Sequence, residues 1–270
     1  MNYLWKTINR YPTIPSFALW RAIELRILNS AIDHFERPLC DLGCGDGSFA
    51  TLFFTNKTKV DLGIDTNRDS IESARKVSVY NKVELINACT MPLKDKSFKT
   101  VFSNCVFEHI PCYVDALKEV YRILQSGGVF ILTVPSENYH TYLYHYKKFI
   151  AMGNRDKAEE YSKRNDARHA HYYYLSPEQW KDLLSAIGFK AIEISYYLPE
   201  DVFSKWDRIE DFYTREFFTL VNSNKGRLLS MLPTPVSKVL WFIYLNKYYR
   251  TDVKPKDKGA ALLIRCRKAT

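Results

Sequence analysis

A short apolar run that enters a glycine-rich turn constrains the fold of this chain more than any other feature. Residues 39–42 form a mostly apolar run that is typical of a buried strand, and Gly43, Gly45 and Gly47 follow before a helical pattern begins. Glycine lets the backbone approach a ligand closely, and the N-terminus of the next helix presents unpaired N–H groups to that ligand. The segment therefore predicts a strand–turn–helix unit that binds a nucleotide-like molecule.

Short apolar runs alternate with helical patterns through the first half of the chain. The predicted strands are 39–42, 60–64, 83–86, 100–103 and 129–134, and the predicted helices between them are 47–56, 67–79 and 113–125. This alternation is typical of right-handed βαβ units. We expect Gly127 and Gly128 to end the third helix with a left-handed cap. The fold class is therefore α/β, a doubly wound and mostly parallel sheet.

The pattern divides the chain into six segments. Two inserts, rich in Tyr, Lys and His in one case and apolar in the other, interrupt the regular core. A helix is predicted to begin after Ser176, which is the expected N-cap, with Gln179 as its capping-box partner. The segments are an irregular N-terminal arm and a covering helix that Ser16 caps (1–37), a ligand-binding core (38–136), a substrate insert (137–175), a core helix and strand (176–197), a helical apolar insert (198–258) and a last core strand (259–270).

Carboxylates beside the glycine turn select the ligand. Asp41 and Asp46 would repel a pyrophosphate, whereas they would attract the sulfonium and ammonium groups of S-adenosylmethionine. The spacing is G-x-G-x-G, with Ser48 where a dinucleotide-binding loop has its third glycine. Asp65 ends the second strand, where a carboxylate can accept hydrogen bonds from ribose hydroxyls; a helix cap is the alternative role for it. S-adenosylmethionine is therefore the predicted cofactor.

Residues 38–135 resemble the class I, or Rossmann-like, methyltransferases, in the group that acts mostly on small molecules. The similarity lies in 41–47, Asp65, 87–93, 98–110 and 124–128, taken in order, while Asn87, Lys99 and Ser126 depart from the family pattern. The resemblance implies methyl transfer from S-adenosyl-L-methionine and a seventh, antiparallel strand at 260–266 beside 190–197. The predicted cofactor-binding residues are Asp41, Gly43, Cys44, Gly45, Asp46, Asp65, Thr66, Asn87, Ala88 and Asn104.

Two histidines are candidate catalytic residues. His109 follows the fourth strand, whose carboxyl end faces the ligand crevice of an open α/β sheet, and imidazole is a suitable base near neutral pH. Family members that O-methylate quinone precursors carry a similar Glu-His pair here, although a structural or cofactor-side role for His109 stays open. His171 is the second candidate, with Glu108, Arg168, His169 and Tyr172 as predicted acceptor-binding residues; a solvated basic segment is the alternative. No carboxylate cluster accompanies the histidines in sequence, so no metal is predicted.

Charge and composition bear on the partners. The formal net charge of +9 favours an anionic partner without distinguishing a phosphorylated small molecule, a nucleic acid or a membrane surface. The six cysteines contain no CxxC pair, which predicts a reducing, cytoplasmic setting. No apolar stretch reaches the ~18 residues of a spanning helix. Residues 228–249, which include Trp241 and Phe242, suit a peripheral contact with the cytoplasmic face of a membrane, or else pack within their own insert.

The predicted function is methyl transfer to a small, lipid-like or glycan-like acceptor, most simply at oxygen. A nucleic-acid methyltransferase is one alternative, for which the positive charge is the only support, so nucleic acid is not the expected partner. A cofactor-binding scaffold that has lost catalysis is another. The sequence predicts neither the oligomeric state nor the identity of the acceptor.

Overall fold

The computed structural model describes residues 2–32, 35–55, 58–212, 234–254 and 256–270. They fall into two compact units. The helical unit comprises Met1–Ser30, Tyr139–Asn165 and Tyr197–Ala260, and the sheet unit comprises Ala31–Asn138, Asp166–Tyr196 and Ala261–Thr270. Part of the predicted apolar segment, 228–233, and the last residue of the predicted helix 47–56 lie outside the described residues.

A seven-stranded sheet has the strand order β3-β2-β1-β4-β5-β7-β6. Strands β1 to β5 pair in parallel, and β7 is antiparallel to β5. The predicted doubly wound sheet with an antiparallel last strand is confirmed. The strands are β1 (Leu39–Leu42), β2 (Leu62–Asp65), β3 (Val83–Leu85), β4 (Phe98–Asn104), β5 (Leu124–Pro135), β6 (Phe189–Pro199) and β7 (Gly259–Lys268).

Helices cover the sheet and make up most of the other unit. A 3-10 turn, Phe107–His109, follows β4 directly. The described helices are α1 (Tyr3–Arg10), α2 (Pro15–Ala31), α3 (Ser48–Phe53), α4 (Arg68–Ala74), α5 (Tyr113–Ile123), α6 (Tyr139–Tyr142), α7 (Tyr144–Ala151), α8 (Arg155–His169), α9 (Pro177–Ile187), α10 (Glu200–Asp211) and α11 (Thr234–Tyr249).

The N-terminal prediction of an irregular arm is wrong. The helix α1 begins at Tyr3, because the side chain of Asn2 accepts hydrogen bonds from the N–H groups of Leu4 and Trp5. Ser16 lies inside α2 and does not cap it, since that helix already begins at Pro15. A proline fits the first turn of a helix because it has no N–H to leave unpaired.

The two predicted helix ends behave differently. Ser176 and Gln179 form the expected capping box at the start of α9, and Gly188 is its left-handed C-cap. The predicted glycine cap of α5 is wrong, because the helix ends at Ile123 and Leu124 is already extended. Gly127 does have a φ of +71°, yet it lies within β5, between Leu124 and Val129, where the pairing of β5 with β4 shifts register. The glycine therefore bends a strand and does not end a helix.

The core of the sheet unit lies between the central strands and α5 and α9. Val101 of β4, Phe130 of β5 and Trp180 of α9 are all essentially inaccessible to solvent. Both faces of β4 and β5 are buried, as a sheet covered by helices on both sides requires. This rigid centre fixes the carboxyl edge of the strands, from which the loops of the site project.

Within the helical unit, aromatic packing and one buried carboxylate hold the helices together. Trp20 of α2 packs edge-on against Trp206 of α10 at a ring-centroid distance of 5.1 Å. Asp207, which is fully buried, accepts a 2.7 Å hydrogen bond from the hydroxyl of Tyr161 on α8. A buried carboxylate is tolerated only with such partners. Among the described residues, no helix is long and apolar enough to cross a bilayer.

Candidate active site

The turn between β1 and α3 is built from three glycines in the left-handed region, with φ values of +76°, +53° and +78° for Gly43, Gly45 and Gly47. A β-carbon on Gly43 would lie 2.3 Å from Val106 Cγ2, so this glycine is required by packing. A β-carbon on Gly45 would meet no heavy atom within 4 Å. Gly45 therefore leaves an open cradle over the backbone, where a ligand can approach.

Hydrogen bonds tie this turn to β2. The N–H groups of Gly43 and Cys44 both donate to the carbonyl of Ile64, at 2.8 and 2.9 Å. The thiol of Cys44 faces the interior, because its sulfur lies 3.2 Å from where a β-carbon of Gly63 would be. Cys44 can therefore offer only its backbone to a ligand.

Asp65 holds the turn from the end of β2. Its Oδ2 accepts a 2.9 Å hydrogen bond from the N–H of Gly45, and its Oδ1 accepts one of 2.8 Å from the N–H of Asn67. The N-cap of α4 is Asn67, whose side chain accepts from the N–H of Ser70, so Asp65 is not the helix cap. Each carboxylate oxygen keeps a lone pair for a further donor. Thr66, the next residue, is exposed.

The other two predicted acids lie deeper or are already engaged. Asp46 accepts from both the N–H and the hydroxyl of Ser48, at 2.9 and 2.7 Å, and so fixes the start of α3. Asp41 is buried beneath the turn, where it accepts a 2.6 Å hydrogen bond from the hydroxyl of Tyr80. Burial, with a smaller contribution from the charge of Asp65, raises the pKa of Asp41 to about 7, although the Tyr80 hydrogen bond acts to lower it. Sequence reasoning missed Tyr80.

The segment after β3 that resembles an adenine-binding motif is anchored at both ends. The side chain of Asn87 accepts a 2.9 Å hydrogen bond from the N–H of Cys89, which shapes the turn, and Ala88 is buried. Further on, Arg122 of α5 donates to the carbonyl oxygens of Met91 and Leu93, at 2.8 and 2.6 Å. The segment is thus held against the helix that precedes β5.

A disulfide bond joins Cys89 to Cys112, with 6.2 Å between the Cα atoms. It connects the adenine-like segment to the loop that follows the 3-10 turn. A reducing setting, as predicted from the absence of a CxxC pair, does not lead one to expect this bond. The four remaining cysteines form no disulfide bond, and Cys105 is the half-buried one among them.

The fourth strand delivers a second group of predicted residues. Asn104 ends β4 and accepts a 2.8 Å hydrogen bond from the hydroxyl of Thr133 on β5. Glu108 and His109 follow in the 3-10 turn. Because β1 and β4 are parallel neighbours, this turn projects from the same edge of the sheet as the glycine turn. Val106 lies directly over Gly43 and so joins the two turns.

Residues 170–174 pack against the 3-10 turn, although they lie more than sixty positions away in the chain. The N–H of Tyr172 donates to the carbonyl of Glu108 at 2.9 Å, and the hydroxyl of Tyr173 donates to the carbonyl of Phe107. The rings of His109 and His171 consequently lie 5.0 Å apart. We name the group of Glu108, His109 and His171 the His-Glu cluster.

Hydrogen bonds settle which nitrogen of each histidine carries its proton. His109 Nδ1 lies 3.1 Å from the carbonyl oxygen of Ala170, which can only accept, so Nδ1 is the donor. His171 Nδ1 lies 2.9 Å from the hydroxyl of Tyr174, and that hydroxyl donates to Asp166. Nδ1 of His171 is therefore a donor as well. In both neutral rings the lone pair is on Nε2.

The remaining predicted residues surround the cluster. Burial, then the charges of Arg168 and His109, lower the pKa of His169 to about 4, so this imidazole is neutral over the physiological range. Arg168 and Tyr172 are exposed beside it. The structure thus brings Glu108, His109, His169 and His171 together. It also supplies the carboxylate beside His171 that the sequence analysis did not expect, because Glu108 approaches only through tertiary contacts.

Comparison with known proteins agrees with this geometry. Residues 40–132, which span the glycine turn and β2 to β5, match the family model described as a methyltransferase domain. This part of the chain is a methyltransferase domain of the class I, S-adenosylmethionine-dependent type. The open cradle at Gly45 and the carboxylate of Asp65 fit its cofactor, S-adenosylmethionine, which carries ribose hydroxyls and no phosphate.

Three relatives show how far the similarity of this methyltransferase extends. The demethylmenaquinone methyltransferase of Oceanobacillus iheyensis is 23% identical over 188 residues, which cover 66% of this chain and 79% of the relative. The structure of a possible histamine N-methyltransferase from Thermotoga maritima aligns at a TM-score of 0.56 and 19% identity, covering 98% of this chain and 99% of that one. Phosphoethanolamine N-methyltransferase 2 of Haemonchus contortus, solved with S-adenosyl-L-methionine, gives 0.54 and 17%, covering 93% and 53%. At these identities the structures establish the fold alone.

Proposed function

We propose that this methyltransferase transfers the methyl group to an oxygen atom of a small, lipid-like or glycan-like acceptor, and that the acceptor is bound at the His-Glu cluster. One observation carries the proposal. Two imidazoles, each with Nε2 as the unprotonated nitrogen of its neutral ring, stand beside a buried carboxylate at the sheet edge that bears the glycine turn. An acceptor hydroxyl must lose a proton as it attacks, and this cluster is the place where it can do so.

The residues divide the work between two groups. Methyl transfer is an in-line displacement at a carbon that the sulfonium already activates, so the protein mainly aligns the reactants and excludes water. When bound, S-adenosylmethionine supplies the methyl group. We assign its binding to the backbone of the glycine turn and to Asp65, with Thr66, Asn87, Ala88 and Asn104 around it. Arg168, His169 and Tyr172, together with the catalytic pair His109 and His171, would receive the acceptor.

A labelling experiment tests the acceptor class. The full chain is incubated with methyl-labelled S-adenosylmethionine and a fractionated extract, and labelled products are identified by mass spectrometry and NMR. We expect label in a methoxy group of a small-molecule, lipid or glycan fraction. Label on nitrogen, or in nucleic acid, would contradict the proposal. The chain is expected to bind S-adenosylhomocysteine in calorimetry, and Asp65→Ala is expected to weaken that binding because the ribose loses its acceptor.

Substitution of His109 tests the cluster. His109→Gln is expected to lower turnover by about 10²–10⁴-fold, the usual contribution of proton removal, with little change in affinity for S-adenosylhomocysteine. The matched control is His140→Gln, because His140 is a half-buried histidine of the helical unit, outside the cluster. Equal turnover of both variants would remove His109 from the mechanism.

Contact with a membrane surface is the second part of the proposal, and α11 supports it. This helix exposes five apolar or aromatic side chains on one face, at the spacing of successive helical turns. They are Val236, Val239, Leu240, Ile243 and Tyr244, all at least 42% exposed. The anchors predicted from sequence, Trp241 and Phe242, are instead half-buried, and Phe242 packs edge-on against Trp5 at 5.5 Å.

Co-sedimentation with vesicles tests this contact, which we assign to the anionic, cytoplasmic face of a membrane. The wild-type chain is expected to sediment with vesicles that contain phosphatidylserine, since the net charge is +9. The double variant Leu240→Asp, Ile243→Asp is expected to stay in the supernatant. Ile150→Asp serves as control, because Ile150 is an exposed apolar residue of α7. Absence of wild-type binding would overturn this part of the proposal and leave the first part untouched.

A further inference from the structure

The His-Glu cluster has the composition of a divalent-cation site. One ligand atom from each of Glu108, His109 and His171 can be chosen so that all three lie within 4.8 Å of one another. Two imidazole nitrogens and one carboxylate oxygen form the donor set of open sites for Zn²⁺ and other first-row divalent cations, in which the remaining positions take water or substrate. Composition alone does not make a site, so the orientation of each ligand matters.

The histidine of the 3-10 turn is oriented for ligation. The Nδ1–H of His109 is occupied by the carbonyl oxygen of Ala170 at 3.1 Å, which leaves the lone pair of Nε2 facing the cluster, 3.9 Å from Glu108 Oε1. A hydrogen bond from the other ring nitrogen to a carbonyl is the usual support of a metal-bound histidine, because it fixes the tautomer and the ring.

The second histidine has a support of the same kind, built from two more residues. The Nδ1–H of His171 donates to the hydroxyl of Tyr174, which in turn donates to the carboxylate of Asp166 at 2.5 Å. This relay ends on a negative charge, so it favours a positive charge at the other side of the imidazole. A single catalytic base would need only one histidine oriented by a hydrogen bond from its Nδ1–H. Two histidines with independent supports, each with a ring nitrogen within 4.8 Å of the other and of a Glu108 oxygen, favour a shared cation.

Burial of the carboxylate adds a further reason. The side chain of Glu108 is only 3% exposed, while those of His109 and His171 remain partly open to solvent. A buried carboxylate is costly unless positive charge or hydrogen bonds compensate it. A cation bound by Glu108 and the two histidines would supply that charge and would keep coordination positions on the solvent side.

The backbone holds this arrangement without a ligand. Ala170, whose carbonyl contacts His109 and which precedes His171 in the chain, has a φ of +53°, a conformation that costs a non-glycine residue about 1–2 kcal/mol. It turns the Ala170 carbonyl toward His109 while the N–H of His171 donates to the carbonyl of Asp166 at 3.1 Å. Strain of this kind persists where the surrounding structure requires the geometry, and it concentrates at functional sites.

We propose that Glu108, His109 and His171 bind a divalent cation of the Zn²⁺ type, and that its open positions bind an acceptor with two adjacent oxygens, such as a catechol, a vicinal diol or a hydroxycarboxylate. The inference rests on the proposed function and names its substrate class. With the cation bound, the two imidazoles act as its ligands and not as bases, so a hydroxyl bound to the cation has a lowered pKa and releases its proton to solvent. Its oxygen then attacks the methyl carbon, and the electron pair of the breaking carbon–sulfur bond stays with sulfur, giving S-adenosylhomocysteine.

Titration with the metal alone tests the site. The full chain is stripped with a chelator and titrated with Zn²⁺ against a competing chromophoric chelator. We expect one equivalent of tight binding to the wild type and at least a tenfold loss of affinity in Glu108→Gln and in His171→Gln. His140→Gln and Cys105→Ser are the controls, for a histidine and a free thiol outside the site, and should bind as the wild type does.

A further variant tests the hydrogen bond that supports His171 and leaves the three metal ligands unchanged. Tyr174→Phe keeps the ring but removes the hydroxyl that accepts from His171, and losses of about 10–100-fold in metal affinity are typical of such changes. All variants are also titrated with S-adenosylhomocysteine, because unchanged binding shows that the sheet unit is folded. A wild type that binds no Zn²⁺, or variants that bind it as the wild type does, would overturn the proposal.

The failure of this inference and that of the proposed function have different signatures. If the wild type methylates an oxygen acceptor, loses activity in His109→Gln and yet binds no cation, the cluster acts through its imidazoles and only the metal inference fails. If the chain binds Zn²⁺ at the cluster but the label enters a nitrogen acceptor, the proposed oxygen acceptor fails and the metal site remains.

Discussion

The glycine turn after β1 and the His-Glu cluster after β4 lie at the same edge of one sheet, but they are built in different ways. The turn takes its shape mainly from residues within a few positions of each other, with β2, Tyr80 and Val106 as distant supports. The cluster joins residues 108–109 to residue 171 through backbone and tyrosine hydrogen bonds. The glycine turn, our proposed donor half, is thus encoded mainly locally, and the His-Glu cluster, our proposed acceptor half, by tertiary structure. The two halves should therefore fail in different ways when they are changed.

The largest effect is expected in the local half. Gly43→Ala places a β-carbon 2.3 Å from Val106 Cγ2 at a φ of +76°. Overpacking costs about 1–3 kcal/mol, and the left-handed conformation adds about 1–2 kcal/mol. Urea unfolding should show a loss of several kcal/mol. Gly45→Ala, with open space at its β-carbon, should lose only the conformational part while calorimetry shows weaker binding of S-adenosylhomocysteine.

Equal losses of stability in the two glycine variants would contradict the assignment of Gly43 to packing against Val106 and of Gly45 to ligand approach. Normal affinity of Gly45→Ala for S-adenosylhomocysteine would also contradict the assigned cradle.

The disulfide between Cys89 and Cys112 joins the segment after β3 to the loop that follows the 3-10 turn. Its removal is expected to have the next largest effect on stability. The closed loop spans a sequence separation of 23 residues, for which chain entropy gives a stabilisation of about 3 kcal/mol. Cys89→Ser with Cys112→Ser should lower the free energy of unfolding by an amount of that order. Added reductant should do the same to the wild type and leave the double variant unchanged, which is the outcome that identifies the bond as the cause.

The smallest effect concerns Asp41, buried beneath the glycine turn. Its pKa is raised to about 7, chiefly by burial, so the folded state holds a proton that the unfolded chain has released above its ordinary pKa of about 4. Stability should therefore fall as the pH rises from about 4 to about 7. This effect is the smallest per unit of pH, because the loss is spread over the whole interval of the titration. Asp41→Asn keeps an oxygen for the hydroxyl of Tyr80 and removes the titration, so its stability should depend less on pH across that interval.

Parallel pH profiles of Asp41→Asn and the wild type would contradict this account. Asp65 lies near enough to raise the pKa of Asp41 electrostatically. In Asp65→Asn, the fall in stability between about pH 4 and about pH 7 should therefore be smaller than in the wild type, but still present.

Much of the local half could be predicted from the sequence. The βα rhythm, the role of Gly45 and the capping box at Ser176 follow from spacing, because each depends on residues within one or two turns of chain. The two wrong predictions, a helix cap at Ser16 and another at Gly127, also depended on local rules. At the first site, α2 begins at Pro15, so Ser16 lies inside the helix. At the second, β5 begins at Leu124, so Gly127 lies inside a strand.

The assembled half could be predicted only in part. His109, His171 and Glu108 were identified as candidates from their places along the chain, but their convergence on one another was not. The hydroxyl of Tyr80 on Asp41, the pairing of Cys89 with Cys112 and the support of His171 by Tyr174 and Asp166 carry no sequence motif. Such contacts depend on how distant segments cross, and a single sequence contains no periodic signal for that.

The contact of Val106 with Gly43 has a consequence for how methyltransferases of this kind could diverge. Val106 fixes the point from which the 3-10 turn begins, so the glycine turn and the first two cluster residues form one structural block. Residues 166–174 reach that block through hydrogen bonds that could be exchanged without disturbing Gly43. New acceptor chemistry could therefore arise by replacing one short segment while the methyl donor stays the same.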